Sequence, residues 1–451
     1  MPKRRNQRDV ISTLPDEILC QILSLLPTRT SMATSLLSRR WRYLWRNVQV
    51  LDLNDDFCYT HERSDEDAEE YFLTFLKEVV PRFDRVRKFR LSCQASEYVY
   101  EDLFDWIDYA IGRVRELHFS MKTDGEIYTM HPSYMRSTWL MSLVLEGNIH
   151  ILLEDLDPGR NLFFPSLKNL KLDITYVNLE RFLSGCPNLE FLWATFENFT
   201  TDESDFHPEA IRMPRPLKIL TLEERCSQVT LEHLEIDTPS LEYLHLSLWG
   251  DYKQILVCDY PNMKKACLEI SPKPSHVAWL PKLLRALCKT EFLTLHLTTI
   301  QCLLRAPVLE LPNFCNLIQL QLFFQGFESR LLVDLLHNCP KLQALLVGVF
   351  PSIDDYFNRS YQESHKPSGW TQPNSIPKCV ISHLNTFEYG GCYNTAEEHD
   401  FIAYILQKGL VLKTMRIHAK AKAFYGFVKP ELYEALSNIP RGSSMCRLEV
   451  V

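Results

Sequence analysis

One phrase recurs along this chain and limits what it can become: apolar, two variable positions, apolar, one variable position, apolar. It reads Val86/Phe89/Leu91, Val114/Leu117/Phe119, Leu140/Leu143/Leu145, Leu167/Leu170/Leu172, Leu217/Leu220/Leu222, Leu241/Leu244/Leu246 and Leu317/Leu320/Leu322, mostly about 22 to 28 residues apart. Weaker copies stand at Leu189/Leu192, Met263/Ala266/Leu268, Leu293/Leu295/Leu297, Leu342/Leu345, Leu384/Phe387/Tyr389 and Leu412/Met415/Ile417. Alternation at period two makes each copy a short strand with its apolar side chains on one face, and a single such strand has nothing to bury them against. Parallel stacking with return segments in between buries one continuous core, so the expected class is α/β with a parallel sheet.

The period falls in the leucine-rich-repeat range, and several returns read as helices. Leu179 to Gly185 precedes Cys186-Pro187-Asn188-Leu189, and Arg330 to Asn338 precedes the nearly superimposable Cys339-Pro340-Lys341-Leu342. Gly185 and Asn338 are expected as left-handed caps, and the prolines forbid extension. Cys186 and Cys339 are then expected as buried packing residues. Alternation also predicts what points away from the leucines: Lys88, Arg90, Glu116, His118, Lys171, Asp173, Tyr243, His245, Trp249, Gln319 and Gln321. Each alone is better read as a solvated strand position; only as a set, on the inner face of the sheet, are they the candidate target-binding surface. Trp249 reads either as an interface anchor or as an edge-packed ring. Phe196 to Pro216 and Phe350 to Lys378 break the period and are expected as loops.

Composition narrows the function. At 451 residues the chain exceeds what one compact core supports, which again favours an elongated repeat architecture or several domains. Only 14 glycines and a formal charge of −8 argue against phosphate-binding loops and against a polyanion as main partner. Lys3, Arg4, Arg5 and Arg8 read either as a nuclear-import patch or as a solvated tail. No apolar run reaches the roughly 18 residues that span a bilayer, so a soluble intracellular chain is expected, in the nucleus and/or the cytoplasm, with no membrane partner. Fourteen scattered cysteines without a C-x-x-C pair suit reduced thiols, with neither disulfides nor a metal site expected. No G-x-S-x-G, H-E-x-x-H or G-x-x-x-x-G-K-[ST] motif occurs, so neither catalysis nor a cofactor is expected.

Ahead of the repeats, Thr13-Leu14-Pro15-Asp16-Glu17 reads as a helix start, with Thr13 as a possible cap and two acids near the positive end of the dipole. Ile18, Leu19, Ile22, Leu23 and Leu26 follow at helical spacing until Pro27. A second short helix is expected over Ser31 to Leu37. A third, capped by Ser38, sets Trp41, Leu44, Trp45 and Val48 opposite Arg39, Arg40, Arg42 and Arg46, a cationic side suited to an acidic neighbour. So few residues cannot enclose so many large apolar side chains; spacing alone leaves open whether the surplus packs on the rest of this chain or on a partner.

The stretches Leu14-Pro15-Asp16-Glu17-Ile18-Leu19 and Leu36-Leu37-Ser38-Arg39-Arg40-Trp41-Arg42-Tyr43-Leu44-Trp45 resemble a plant-type F-box. The resemblance implies docking on a Skp-type adaptor, and through it on a cullin, by Leu14, Pro15, Ile18, Leu19, Ile22, Leu23, Leu36, Leu37, Trp41 and Leu44, with Trp45 packing on the scaffold that follows. Val10 stands where the family's Asp-Arg-Ile-Ser start carries arginine, a loss of one peripheral charge. Trp370-Thr371-Gln372-Pro373, Pro377-Lys378-Cys379, Leu384-Asn385-Thr386-Phe387, Phe401 to Leu406 and Leu412 to Ile417 follow one another as in the FBD module, which has no well-defined activity. Phe401, Tyr404 and Ile405 make an apolar helical stripe ahead of Gly409. The whole resembles the plant F-box/FBD/leucine-rich-repeat family. The expected organisation is an F-box of three helices over 8–53, an acidic linker over 54–70, leucine-rich repeats over 71–350, a linker loop over 351–369 and an FBD module continuing the stack over 370–451. The implied role is a substrate-recognition subunit of an SCF-type (Skp-cullin-F-box) ubiquitin ligase with an unknown target protein, the alternative being a non-degradative scaffold.

Overall fold

The computed structural model describes residues 10–59, 63–83, 86–94, 106–107, 109–122, 127–130, 135–151, 153, 162–196, 210–225, 230–271, 278–305, 310–350, 370, 372–392, 395–419 and 428–451. The basic stretch at Lys3 to Arg8 and the expected linker loop 351–369 lie outside them. The chain forms two units, residues 1–197 and 198–451.

In the first unit, α1 (Asp16–Leu23) and α2 (Thr28–Ala33) are followed by 3-10 turns at Thr34–Leu36 and Trp41–Asn47. Thr13 does not cap α1. Its hydroxyl donates back to the Val10 carbonyl at 2.7 Å, and Pro15, with its extended backbone, stands at the cap position. The third expected helix winds as a 3-10 segment, and Ser38 meets it through its carbonyl, which accepts from Trp41 N–H at 3.1 Å, rather than through its hydroxyl.

The chain then enters β1 (Val50–Asn54), which pairs in parallel with β2 (Lys88–Cys93). This corrects the expected acidic linker. Leu51 and Leu53 alternate inward and are buried, so the repeat sheet begins before the acidic stretch. Beyond it, α3 (Asp65–Val79) starts at Ser64, whose Oγ accepts from Asp67 N–H at 3.2 Å. Asp65 and Asp67 occupy the first turn, where negative charge is favourable. The sheet continues with β3 (Glu116–Met121), β5 (Ser142–Ile151), β6 (Asn169–Val177) and β7 (Phe191–Phe196), all parallel, with β4 (Tyr128–Met130) against the far end of β5.

Among the described residues the second unit stacks nine parallel strands: β9 (Ile219–Glu224), β11 (Tyr243–Leu248), β13 (Lys265–Ile270), β14 (Phe292–Leu295), β15 (Gln319–Phe324), β16 (Ala344–Val349), β17 (Thr386–Cys392), β18 (Thr414–Ala419) and β19 (Arg447–Val450). A separate three-stranded parallel sheet joins β8 (Ala210–Arg212), β10 (Thr230–Ile236) and β12 (Asp251–Val257). The expected loop over Phe196 to Pro216 therefore contains a strand.

The recurring phrase is the register. Leu220, Leu244, Ala266, Leu293, Leu320, Leu345, Phe387 and Met415 pair one to the next across the second unit, all buried. Phe89, Leu117, Leu143, Leu170 and Leu192 do the same in the first. Each such side chain taken out of water contributes roughly 1.5–3 kcal/mol, so the ladder is the main source of cohesion. Leu297, the third apolar residue of one weak copy, instead opens a helix.

Helical returns cover the leucine side. They include α4 (Leu179–Ser184), α5 (Leu280–Ala286), α6 (Leu297–Arg305), α7 (Ser329–His337), α8 (Lys378–Ser382), α9 (Ala396–Lys408) and α10 (Val428–Ser437). Gly185 and Asn338 end α4 and α7, yet both keep negative φ (−82° and −87°), so the left-handed caps expected there are absent. Gly185 has a different reason: a Cβ there would lie 2.6 Å from the Leu162 carbonyl oxygen, too close for any side chain. The helix expected around Phe401 is α9, closed by a reciprocal cap in which Thr395 and Glu398 bond each other's backbone N–H. Phe401, Tyr404 and Ile405 face inward as predicted, and Trp370 sets its ring against Phe401 (5.6 Å) and Tyr404 (5.3 Å). Among the described residues no helix is long and apolar enough to cross a membrane.

Candidate functional site

The N-terminal helices sort their apolar residues onto two faces. Leu19, Leu23, Trp41, Leu44, Trp45 and Val48 are buried. Trp45 packs edge-on to Phe83 with ring centroids 5.5 Å apart, as expected of a residue seated on the scaffold. Cys20 Sγ donates to the Leu44 carbonyl at 3.5 Å, and Thr28 Oγ1 accepts from Asp52 N–H on β1 at 2.8 Å, so both helices are tied inward.

The other face is left open. Ile18 and Ile22 on α1 are 39% and 40% exposed, Leu25 just after it is 84%, and Leu36 and Leu37 are 88% and 68%. The ten expected adaptor contacts thus divide. Pro15, Ile18, Ile22, Leu36 and Leu37 lie on the surface, with Leu14 half-buried beside them. Leu19, Leu23, Trp41 and Leu44 are enclosed by this chain, which removes them from any contact surface and makes them its foundation. Helical spacing shows which residues share a stripe, but not which stripe the rest of the chain will cover.

Leu25, Ile11 and Tyr43, also exposed, belong to the same segment and are not among the expected contacts. Leu25 could have been found from the surplus of large apolar side chains before Pro27. The cationic side is partly spoken for: Arg40 forms an ion pair with Asp16 at 2.7 Å and donates to the Leu14 carbonyl, and Arg46 lies over the Tyr43 ring at 4.9 Å.

The expected target-binding residues fall on the strand face opposite the leucines, with one exception. In the first unit, Lys88, Arg90, Glu116, His118, Lys171 and Asp173 all alternate outward and are half-buried. They knit across strands: Arg90 to Asp52 at 2.8 Å, Lys88 to Glu116 at 3.2 Å, and His118 and Lys171 both to Glu146, at 3.0 and 2.6 Å. Lys171 also covers the Trp193 ring at 4.0 Å. Burial raises the Glu146 carboxyl, but its hydrogen bonds and charge contacts with Lys171 and His118 outweigh that and hold it below the usual range.

In the second unit, Tyr243, His245, Gln319 and Gln321 sit on the same kind of face. The exception is Trp249, which lies past the end of β11. Its backbone N–H and that of Gly250 donate to the buried Glu224 at 2.9 and 2.7 Å, and its indole N–H donates to Ser247 at 3.3 Å. The residue, 38% exposed, is thus held past the end of the strand, beside the outward-facing Ser247.

Other chemistry is thinly represented. Cys186 and Cys339 are fully buried, and burial pushes the Cys186 thiol up to about 12 and that of Cys339 further still, the reverse of what a nucleophilic thiol needs. Among the described residues no group of His, Cys, Asp and Glu could hold a metal ion.

Comparison with known proteins agrees with this geometry. The F-box domain family model matches residues 11–53, covering the two-faced helices and most of β1, and the FBD family model matches residues 372–417, from the approach to α8 into β18. Similarity to curated proteins runs almost end to end. The chain is 27% identical to an F-box/FBD/LRR-repeat protein of Arabidopsis thaliana over 98% of this chain and 99% of that one. It is 28% identical to an FBD-associated F-box protein over 98% and 99%, and 29% identical to a second F-box/FBD/LRR-repeat protein over 98% of each, both from the same plant.

Proposed function

We propose that this chain, which carries an F-box and an FBD region and is similar along nearly its whole length to Arabidopsis F-box/FBD/LRR-repeat proteins, is the substrate-recognition subunit of a Skp-cullin-F-box ubiquitin ligase. The observation that carries the reading is the open apolar face of the N-terminal helices. Ile18, Ile22, Leu25, Leu36 and Leu37 remain in water although the same helices bury Leu19, Leu23, Trp41 and Leu44 firmly. A patch of this kind is the mark of a protein contact, and it sits in the segment that matches the F-box model.

In this reading the chain performs no bond chemistry. The helical face docks on a Skp-type adaptor, and a cullin is joined through it. The sheet face holds a target protein, and tethering raises the effective concentration of the target's lysines near the ubiquitin-loaded enzyme. The buried set supplies rigidity: Trp45 against Phe83 and Thr28 against β1 fix the docking face to the first unit's sheet. Such a subunit would work in the nucleus or the cytoplasm.

The test is co-purification of the full chain with a Skp-type adaptor, comparing wild type with Ile22→Asp, Leu36→Asp and Leu37→Asp. Loss of the adaptor with an unchanged melting temperature is the expected result; adaptor retained by all three variants, or bound by none of the proteins, sinks the reading. Depleting the chain in cells and following a bound target then separates delivery for degradation, in which the target's half-life lengthens, from scaffolding, in which it does not.

A further inference from the structure

The outward face of the second unit carries two adjoining hollows of different chemistry. The larger, about 390 Å³, opens where two glycines stand side by side on neighbouring strands: Phe323, Gly348, Gly390 and His418 are register partners in one row across β15 to β18. Phe323 and Phe350 form its aromatic wall, with ring centroids 5.7 Å apart, and His296 extends that row at 4.9 Å from Phe323. Phe350 is 51% exposed, so the apolar wall faces water.

The far wall is polar but already balanced. Glu388 accepts from His418 at 2.9 Å and lies 3.9 Å from Arg416, which pairs with Glu449 at 3.0 Å. A charged occupant gains little there.

The second hollow, about 330 Å³, shares Gln321 with the first and is lined by Lys265, Phe292 and Gln319. Its cation is in a different position from the other lysines of the sheet faces. Lys88, Lys171 and Lys264 each hold a carboxylate, at 3.2, 2.6 and 2.5 Å. Lys265 is exposed, forms no ion pair among the described residues, and rests 5.7 Å from the Tyr243 ring.

Resting on the receptor reading above, we propose that these hollows take an extended segment of the target protein, with an aromatic side chain seated over Gly390 and a carboxylate at Lys265. The chemistry selects the pair: an apolar aromatic-walled notch with a self-compensated polar rim suits a neutral ring, and an unmatched ammonium suits an acid. The spacing follows from the sheet. Lys265 on β13 shares a register row with Thr386 on β17, so Gly390 lies four strand steps of about 4.8 Å across and four residues of about 3.3 Å along from it, about 23 Å in all. An extended chain advancing about 3.3 Å per residue therefore carries the ring and the acid about six to eight residues apart in the target.

Selection of a random twelve-residue peptide library displayed on phage, against the full chain, tests this. Enriched peptides should carry Phe, Tyr or Trp about six to eight residues from Asp or Glu. Gly390→Leu fills the notch from its floor, where an added Cβ meets nothing nearer than 3.7 Å, so the fold tolerates it while affinity for the selected peptide falls at least tenfold. Lys265→Glu on the exposed rim should weaken binding to a similar extent and be rescued when the peptide's acid is exchanged for lysine. No enrichment, enrichment without that spacing, or affinity unchanged in Gly390→Leu overturns the proposal. Adaptor capture measured on the same samples reads the N-terminal helices alone, so failure of the receptor role and failure of this site are told apart.

Discussion

The N-terminal helices and the repeat strands put leucine to opposite uses. Across the second unit Leu220, Leu244, Leu293, Leu320 and Leu345 are at most 1% exposed, each sealed by the strands on either side and the returns behind. In the helices Leu25, Leu36 and Leu37 stand almost free of the chain, a few residues from Leu23 and Leu44, which do not. Leucine content is thus no guide to where a core lies. What separates the regions is whether the chain supplies a neighbour on the apolar side: a strand in a stack always has one, whereas a short helix has one only on the face turned inward.

The sharpest way to break the contrast is to delete the same atoms in both places. Leu320→Ala opens a cavity between Leu293 and Leu345, its register partners, and should lower unfolding stability by about 2–5 kcal/mol in urea denaturation. Leu36→Ala with Leu37→Ala should shift it by less than about 0.5 kcal/mol, because those side chains are already in water. If the two changes cost alike, the exposed leucines are part of the fold and the contrast is lost.

The repeat half of this contrast was legible from sequence because strand alternation has one answer: once Leu244 faces in, His245 faces out. The helical half was not, since a stripe such as Ile18, Ile22 and Leu25 differs from one such as Leu19 and Leu23 only by what packs against it. The stretch 54–70 misled for a related reason. Its clustered acids suggest solvated chain, yet Asp65 and Asp67 favour the N-terminus of α3, and Leu51-Asp52-Leu53 already alternates as a strand does. Gly185 shows the limit: it stands in an ordinary helical backbone and is needed only because Leu162 passes 2.6 Å from where a Cβ would be, a fact carried by a segment distant in sequence.

The same leucine pair sharpens the contrast when binding is read instead of stability. Leu36→Ala with Leu37→Ala should weaken capture of a Skp-type adaptor by about 100-fold, near 3 kcal/mol, by titration calorimetry. Leu320→Ala, measured at a temperature where it stays folded, should leave that affinity within about twofold. Equal losses would mean that docking reads the integrity of the fold rather than the open face.

A parallel contrast holds for charge. Asp55, just past β1, is 3% exposed; its Oδ2 accepts from Gln94 N–H at 2.6 Å, while the other oxygen has no hydrogen-bond partner. Burial, against the opposing pull of that N–H, pushes its carboxyl up to about 6 from 3.8. The folded chain therefore keeps a proton that the unfolded chain gives up, and this group costs stability progressively as pH rises from about 4 to about 6, fully above that. A carboxyl raised that far carries at most about 3 kcal/mol. Asp55→Asn, able to accept from Gln94 without the charge, should gain about 1–2 kcal/mol at pH 7 relative to its difference from wild type at pH 4, in paired denaturation curves. Parallel pH profiles for the two proteins would show that Asp55 is not held as its burial implies.

On the outward strand face, charge should matter least. Lys88 and Glu116 meet at 3.2 Å with side chains 35% and 36% exposed, so water and salt screen the pair, and ordering two long side chains offsets most of the attraction. Glu116→Gln should change stability by less than about 0.5 kcal/mol, with the difference vanishing by 0.5 M salt. The consequence reaches beyond stability: a face whose ion pairs contribute little to the fold is free to exchange them for contacts with a target. If Glu116→Gln instead unfolds the chain by more than about 1 kcal/mol at high salt, those pairs are structural, and the face loses the freedom that sets it apart from the leucine side.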